Sequence, residues 1–199
     1  MSDLYLRQGT IVTEPPATYA VTTATARNQL QLESGDTSKD TEIARYIAAA
    51  TAYVEGRLGY PIIDQTRVTH MRGFPLDGGD IWIGAGADLA VTSVQYRDTT
   101  GTLQTLSSAN YIVDTFSKPA LLTLAPNCSW PATQERSGAV VITWTAGWGD
   151  DTEVPADIAH AVLLLVGHWD LHREAVGQVN DELKLAVDAL LHNHLVWSL

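Results

Sequence analysis

The feature that most constrains this chain is that its apolar residues change their spacing twice. Ile43, Ile47, Ala50, Val54 and Leu58 recur every three or four positions, which draws one apolar stripe along a helix. Val140, Ile142 and Trp144 instead alternate with Val141, Thr143 and Thr145, and Val94 and Tyr96 alternate with Ser93, Gln95 and Arg97. That is the period of a strand with two distinct faces. Helical spacing then returns at Ile158, Val162, Leu165, Trp169 and Val176, and again at Leu183, Val187, Leu190, Leu191 and His194. The chain therefore divides into a helical zone at residues 1–61, a β zone at 62–148 and a second helical zone at 149–199. Neither helical zone has apolar surface enough for a core of its own, so the two are expected to pack on each other. The predicted class is α+β: a helical bundle core carrying an inserted small antiparallel β-sheet domain, a sandwich or a barrel.

Local signals place the elements. Thr13 to Thr18 contains Pro15 and Pro16 and reads as an extended leader, followed by a short helix near Thr23 to Leu32. The Ile43 stripe has Thr37 or Ser38 available as a cap, Asp40 and Glu42 in its first turn, and Gly59 and Pro61 at its end, each suited to a helix terminus. In the β zone, Arg67 to Phe74, Asp80 to Ile83, Tyr111 to Asp114 and Ala120 to Leu124 are further strand candidates. Asp98-Thr-Thr-Gly101 has the chemistry of a hairpin turn. Pro155, Glu153 and Asp157 mark the start of the third helix, Gly177 a break, and Asp181-Glu182 the start of the last. The chain finishes Leu195-Val-Trp-Ser-Leu199, apolar and without a charged side chain. Such a tail either folds back on its own core or docks on a partner.

Composition narrows the function. The 199 residues are 45% apolar, enough for one well-cored domain or a domain with a sizeable insertion. The longest apolar stretch, Ala159 to Val166, is interrupted by His160, far short of the roughly 20 residues of a membrane helix. Met1 to Arg7 lacks the order of a signal peptide, so synthesis and retention in a cytoplasm are expected, which the resemblance named below makes the bacterial cytoplasm. Twelve Lys and Arg stand against 23 Asp and Glu, a formal net charge of −11. Gripping DNA requires clustered cations, and none exist here; the acidic balance suits a solvated surface or a wall that DNA passes without sticking.

Chemistry-bearing constellations are few. His168 and His172 stand four apart on one side of a helix, the spacing of two zinc ligands; with a nearby acid they define a metal-dependent hydrolase as one alternative. The position after His168 is Trp169 rather than a catalytic glutamate, and His172 shares the stripe of Ile158 and Trp169, which favours a packed histidine. His192, Asn193 and His194 are adjacent and point in different directions on a helix, unlike a nuclease site. Gly84-Ala-Gly86 lacks the third glycine and following helix of a dinucleotide loop. Cys128, the only cysteine, excludes an internal disulfide and has no nearby base in sequence. Gly149 to Glu153 reads as a solvated loop before a helix rather than a cation loop. Trp82, Trp130, Trp144 and Trp148 in the β zone leave a carbohydrate-binding module as a second alternative, against which Trp144 shares its face with Val140 and Ile142. No catalytic, cofactor-binding or metal residue is assigned, and no cofactor is expected.

The order of these elements resembles the head-tail connector (adaptor) family of long-tailed bacteriophages and phage-like gene transfer agents. The likeness rests on Ile43 to Gly59, on Leu89 to Gly101, Tyr111 to Asp114 and Val141 to Trp148, and on Val154-Pro155 before a helix, Arg173-Glu174 after it and Ala189-Leu-Leu191 near the end. The resemblance implies a structural protein that forms a ring, usually of twelve subunits, beneath the portal in the neck of the particle. The ring continues the channel for double-stranded DNA, without specific binding, and offers a platform to a tail-proximal stopper or tail protein. It also implies that the C-terminal segment reaches the portal protein, through Leu190, Leu191, His192, His194, Leu195, Val196, Trp197 and Leu199. Many relatives follow the paired leucines with a proline-containing basic ending; this chain continues His192-Asn-His-Leu-Val-Trp-Ser-Leu199 instead.

Overall fold

The computed structural model describes residues 7–33, 35–172 and 181–196. The fold is α+β, with four α-helices and two antiparallel sheets among the described residues. The described residues form two compact units, one from residues 16–33, 35–64, 148–172 and 181–196, the other from residues 7–15 and 65–147.

In the second of these units, β1 (Arg7–Glu14), β2 (Gln65–Met71), β8 (Val140–Ala146), β4 (Ala90–Arg97) and β5 (Leu103–Thr105) lie side by side in that order. A smaller sheet runs β3 (Ile81–Trp82), β7 (Leu121–Leu124), β6 (Tyr111–Asp114). The alternation in β8 is realised as expected: Val140, Ile142, Trp144 and Ala146 are buried and their neighbours half-buried. They share one core with Val94 of β4, Ile81 and Leu122 of the small sheet, and Ile83 and Leu89 from the loops, so the two sheets close on each other. The Trp144 indole N–H donates to Thr69 Oγ1 at 2.9 Å, which satisfies the polar atom of a ring that is 1% exposed. Gly84 lies against that ring, where a β-carbon would sit 2.5 Å from Trp144 Cη2. The expected hairpin turn joins β4 to β5. Gly101 N–H donates to Asp98 O at 2.9 Å, and Asp98 Oδ1 accepts from the N–H groups of Thr100 and Thr102. Hydrogen bonds led by the Thr100 hydroxyl hold the Asp98 carboxyl down at about 2.

β1 departs from the expected helical character of the first zone. Thr10-Ile-Val-Thr13 is β-branched throughout, which favours strand. As an edge strand paired only with β2, it leaves Ile11 and Val12 half exposed. It therefore lacks the buried/exposed contrast that made β8 legible.

The other unit is helical: α1 (Thr23–Gln29), α2 (Asp40–Leu58), α3 (Ala156–Leu171) and α4 (Asp181–Leu191). The predicted stripe of α2 is its buried face, Ile43, Ile47, Ala50, Val54 and Leu58. It meets Ile158, Val162, Leu165 and Trp169, the stripe of α3; Val176 and Gly177 lie outside the described residues. Helical segments from both ends of the sequence thus make one core. α2 ends on Gly59 in the left-handed conformation, φ 79°, with its N–H on Glu55 O, the ending glycine favours. Its start differs from expectation: Lys39 occupies the cap without a side-chain bond, and Asp36 upstream accepts from Ser38 N–H. Pro155 likewise sits at the cap of α3, one residue before the first turn. The chain leaves this unit at Asp64 and re-enters at Trp148, where Trp148 N–H bonds Ile62 O and Asp64 N–H bonds Gly149 O.

Candidate partner-binding site at the C-terminal segment

α4 is amphipathic, burying Val187 and Leu191 while Leu185 stays 73% exposed. Arg57 of α2 pairs with Asp188 on its flank. After Leu191 the helix tightens into a 3₁₀ turn, His192–His194, and this turn points His194 inward. Three groups hold it. Its Nε2 is 2.7 Å from Asp157 Oδ2, its carbonyl oxygen accepts from the Tyr60 hydroxyl at 2.7 Å, and its ring meets Trp148 edge-on with centroids 6.0 Å apart. Tyr60 and Trp148 also pack together, centroids 5.7 Å apart.

The electrostatics keep this anchor closed. Burial, together with the neighbouring charge of Asp157, pushes the Tyr60 hydroxyl up to about 12, so it keeps the proton it donates. Burial opposes the charge on Asp157 most, but the His194 hydrogen bond, the Ile158 N–H and the His194 charge together outweigh it and hold the carboxyl below the usual range. Asp157 thus has two tasks. It complements the positive end of α3, as its sequence position suggested, and it fastens a residue 37 positions later.

The residues expected to meet the portal are brought together as a segment but not as a uniform surface. Leu191 is a core residue, 1% exposed. Leu190, His194, Leu195 and Val196 are half-buried and His192 is exposed. Trp197 and Leu199 lie outside the described residues. The anchors Tyr60, Trp148 and Asp157 were not legible as such. Tyr60 and His194 meet across 134 positions, and no local pattern encodes that.

The remaining constellations resolve differently. The His168 and His172 rings lie 4.6 Å apart, but no group of three His, Cys, Asp or Glu able to hold a metal forms among the described residues. His172 is exposed at the end of α3 rather than packed on its stripe, because the helix stops there. Asp150 in the Gly149–Glu153 loop accepts from the Thr152 N–H and hydroxyl, a turn leading into α3. Trp144 is core, Trp130 stacks on Phe74 at 4.9 Å and Trp148 faces His194, so only Trp82 stands half exposed and no aromatic row forms for a sugar.

With fold and site in view, comparison with known proteins decides the family. The family model described as "Head completion protein" matches residues 21–179. The chain belongs to the head completion protein family. A member of this family is a structural protein of the virion, serving the junction of head and tail, and not an enzyme. Three solved structures share the fold. A chain in the virion of a native gene transfer agent (GTA) particle is 21% identical with a TM-score of 0.73, covering 96% of this chain and 97% of that one. A chain in the neck of an empty GTA particle with C6 symmetry is 20% identical with a TM-score of 0.71, over 96% and 97%. A chain in the neck of a native GTA particle with C12 symmetry is 22% identical with a TM-score of 0.68, over 95% and 97%. No curated protein matches this chain. Head completion thus joins a fold seen in particle necks to a chain in which Tyr60, Trp148 and Asp157 fasten the C-terminal segment at His194.

Proposed function

We propose that this protein forms a ring beneath the portal of its particle, prolongs the DNA channel and offers a platform to the next tail-proximal protein. The observation that carries this reading is the family match across residues 21–179. The necks in which similar folds occur, computed with C6 or with C12 symmetry, support a ring, and the C12 case suits twelve copies. The formal charge of −11 supports a channel wall past which DNA slides, since like charges repel and no basic cluster is present to hold phosphates. In this reading the segment from Leu190 to Leu199 contacts the portal protein, and the His194 anchor sets the point from which it departs.

The test is sedimentation of the purified protein with DNA-filled heads that lack it. Co-sedimentation with portal-bearing heads, and none with shells without a portal, is the expected result. Equal recovery with both would reject portal docking.

A further inference from the structure

The last turn of α3 sets two imidazoles side by side. His168 and His172 are four positions apart, and helical side chains lean toward the N-terminus, so His172 reaches back over His168. Their ring centroids lie 4.6 Å apart, with the planes inclined at 50°. The backbone between them is closed, His172 N–H donating to His168 O at 3.0 Å. His168 Nε2 is enclosed, yet it has no hydrogen-bond partner among the described residues. A buried polar atom ordinarily has one, so this nitrogen has bonding capacity to spare. His172 is exposed, and rotation of its ring gives a small ion a path to the enclosed nitrogen.

The spacing fits a chelated metal ion. Zinc lies about 2.1 Å from a histidine nitrogen, hence about 3.2 Å from the ring centroid, and two rings meeting one ion at about 90° to 109° stand about 4.5 to 5.2 Å apart. The observed 4.6 Å falls in that range. Imidazole nitrogens select late first-row dications such as zinc, nickel and copper, whereas calcium and magnesium require oxygen ligands. The negative end of the α3 dipole adds to the attraction for a cation. The carboxylates of this region are engaged elsewhere. Asp170 pairs with Lys39 at 3.5 Å, and Glu42 accepts from the Tyr46 hydroxyl at 3.0 Å. No set of three ligands forms among the described residues, so the pair acts as a two-ligand chelate with water at the remaining positions of the ion. Trp169 follows His168 where a zinc protease carries its catalytic glutamate, so such an ion has a structural task and not a hydrolytic one.

We propose that His168 and His172 chelate one late first-row divalent cation, such as zinc, and that the ion clamps the last turn of α3. The clamped turn carries Trp169, which is 7% exposed and packs on Tyr46 of α2 with centroids 6.4 Å apart. The unfolded chain holds the two imidazoles at no fixed spacing, so an ion bound to both favours the helical turn and with it the packing of α3 on α2. The site stands apart from the ring reading above and does not depend on it.

The experiment uses the full chain, stripped of metal with a chelator and titrated with zinc chloride in a calorimeter. One zinc per chain is expected, with a higher melting temperature at saturating zinc. His172→Ala, at an exposed helix end, should leave the metal-free protein melting within about 2 °C of the parent. It should weaken zinc binding by at least about tenfold, since even loss of a group behind a ligand costs that much, and the zinc-induced rise in melting temperature should vanish. His168→Gln should weaken binding to the same extent. His192→Ala and Cys128→Ser, which remove another exposed imidazole and the only thiol, should leave the titration unchanged. With copper(II) as the probe, electron paramagnetic resonance should show two equatorial imidazole nitrogens in the parent and one in His172→Ala. An absence of zinc binding, binding that survives His172→Ala, or binding lost with His192→Ala or Cys128→Ser would overturn the site.

Discussion

At the scale of single residues, two positions account for much of what is specific here. Gly84 is required by contact rather than by backbone angle, because any side chain there collides with the Trp144 ring. Gly84→Ala should therefore cost about 2 kcal/mol, the usual penalty for overpacking, read as a lower urea midpoint at unchanged slope. Asp157 is the other. Its carboxyl titrates below the ordinary value of 3.8, so the folded state holds the charged form more tightly than the unfolded one. That stability is fully present above about pH 4 and is lost as pH falls through the depressed folded value. Asp157→Asn should destabilise by about 1 kcal/mol at neutral pH. The gap between variant and parent should close in unfolding curves taken near pH 2; a gap that persists there would place the effect elsewhere.

At the scale of elements, the helices and strands were legible wherever burial is one-sided. The stripe on α2 and the alternation in β8 became buried faces because each element rests against its partner on one side only. β1 was missed because both its faces are partly open, and the cap of α2 falls on Lys39, one residue past the capping side chains that the sequence offers. The candidate site was half legible. The apolar ending marked the segment, but its fastening to Tyr60, Trp148 and Asp157 is long-range and leaves no local trace. The fastening makes an element-scale prediction. Deleting Leu195 to Leu199 keeps His194 and its three partners, so the helical unit should melt within about 2 °C of the parent, while binding to portal-bearing heads should fall. Binding that survives the deletion would place the portal contact elsewhere. His194→Ala should instead lower the melting temperature, since it takes the imidazole away from Asp157 and from the Trp148 ring, although the backbone carbonyl that Tyr60 donates to remains.

At the scale of the whole molecule, two helical zones separated by some ninety residues of sequence build one core, and the intervening strands build another with strand β1. This division gives a structural protein two sets of surfaces from one chain. In the proposed function, the helical unit presents the segment that meets the portal. That task calls for no reactive group, which fits a chain in which the polar cluster around His194 serves as a fastening. The most direct measurement is electron microscopy of the portal vertex after DNA-filled heads lacking the protein are incubated with it. A new ring of density beneath the portal, with the channel continued through its centre, is the predicted result. Bare vertices at saturating protein would contradict the account.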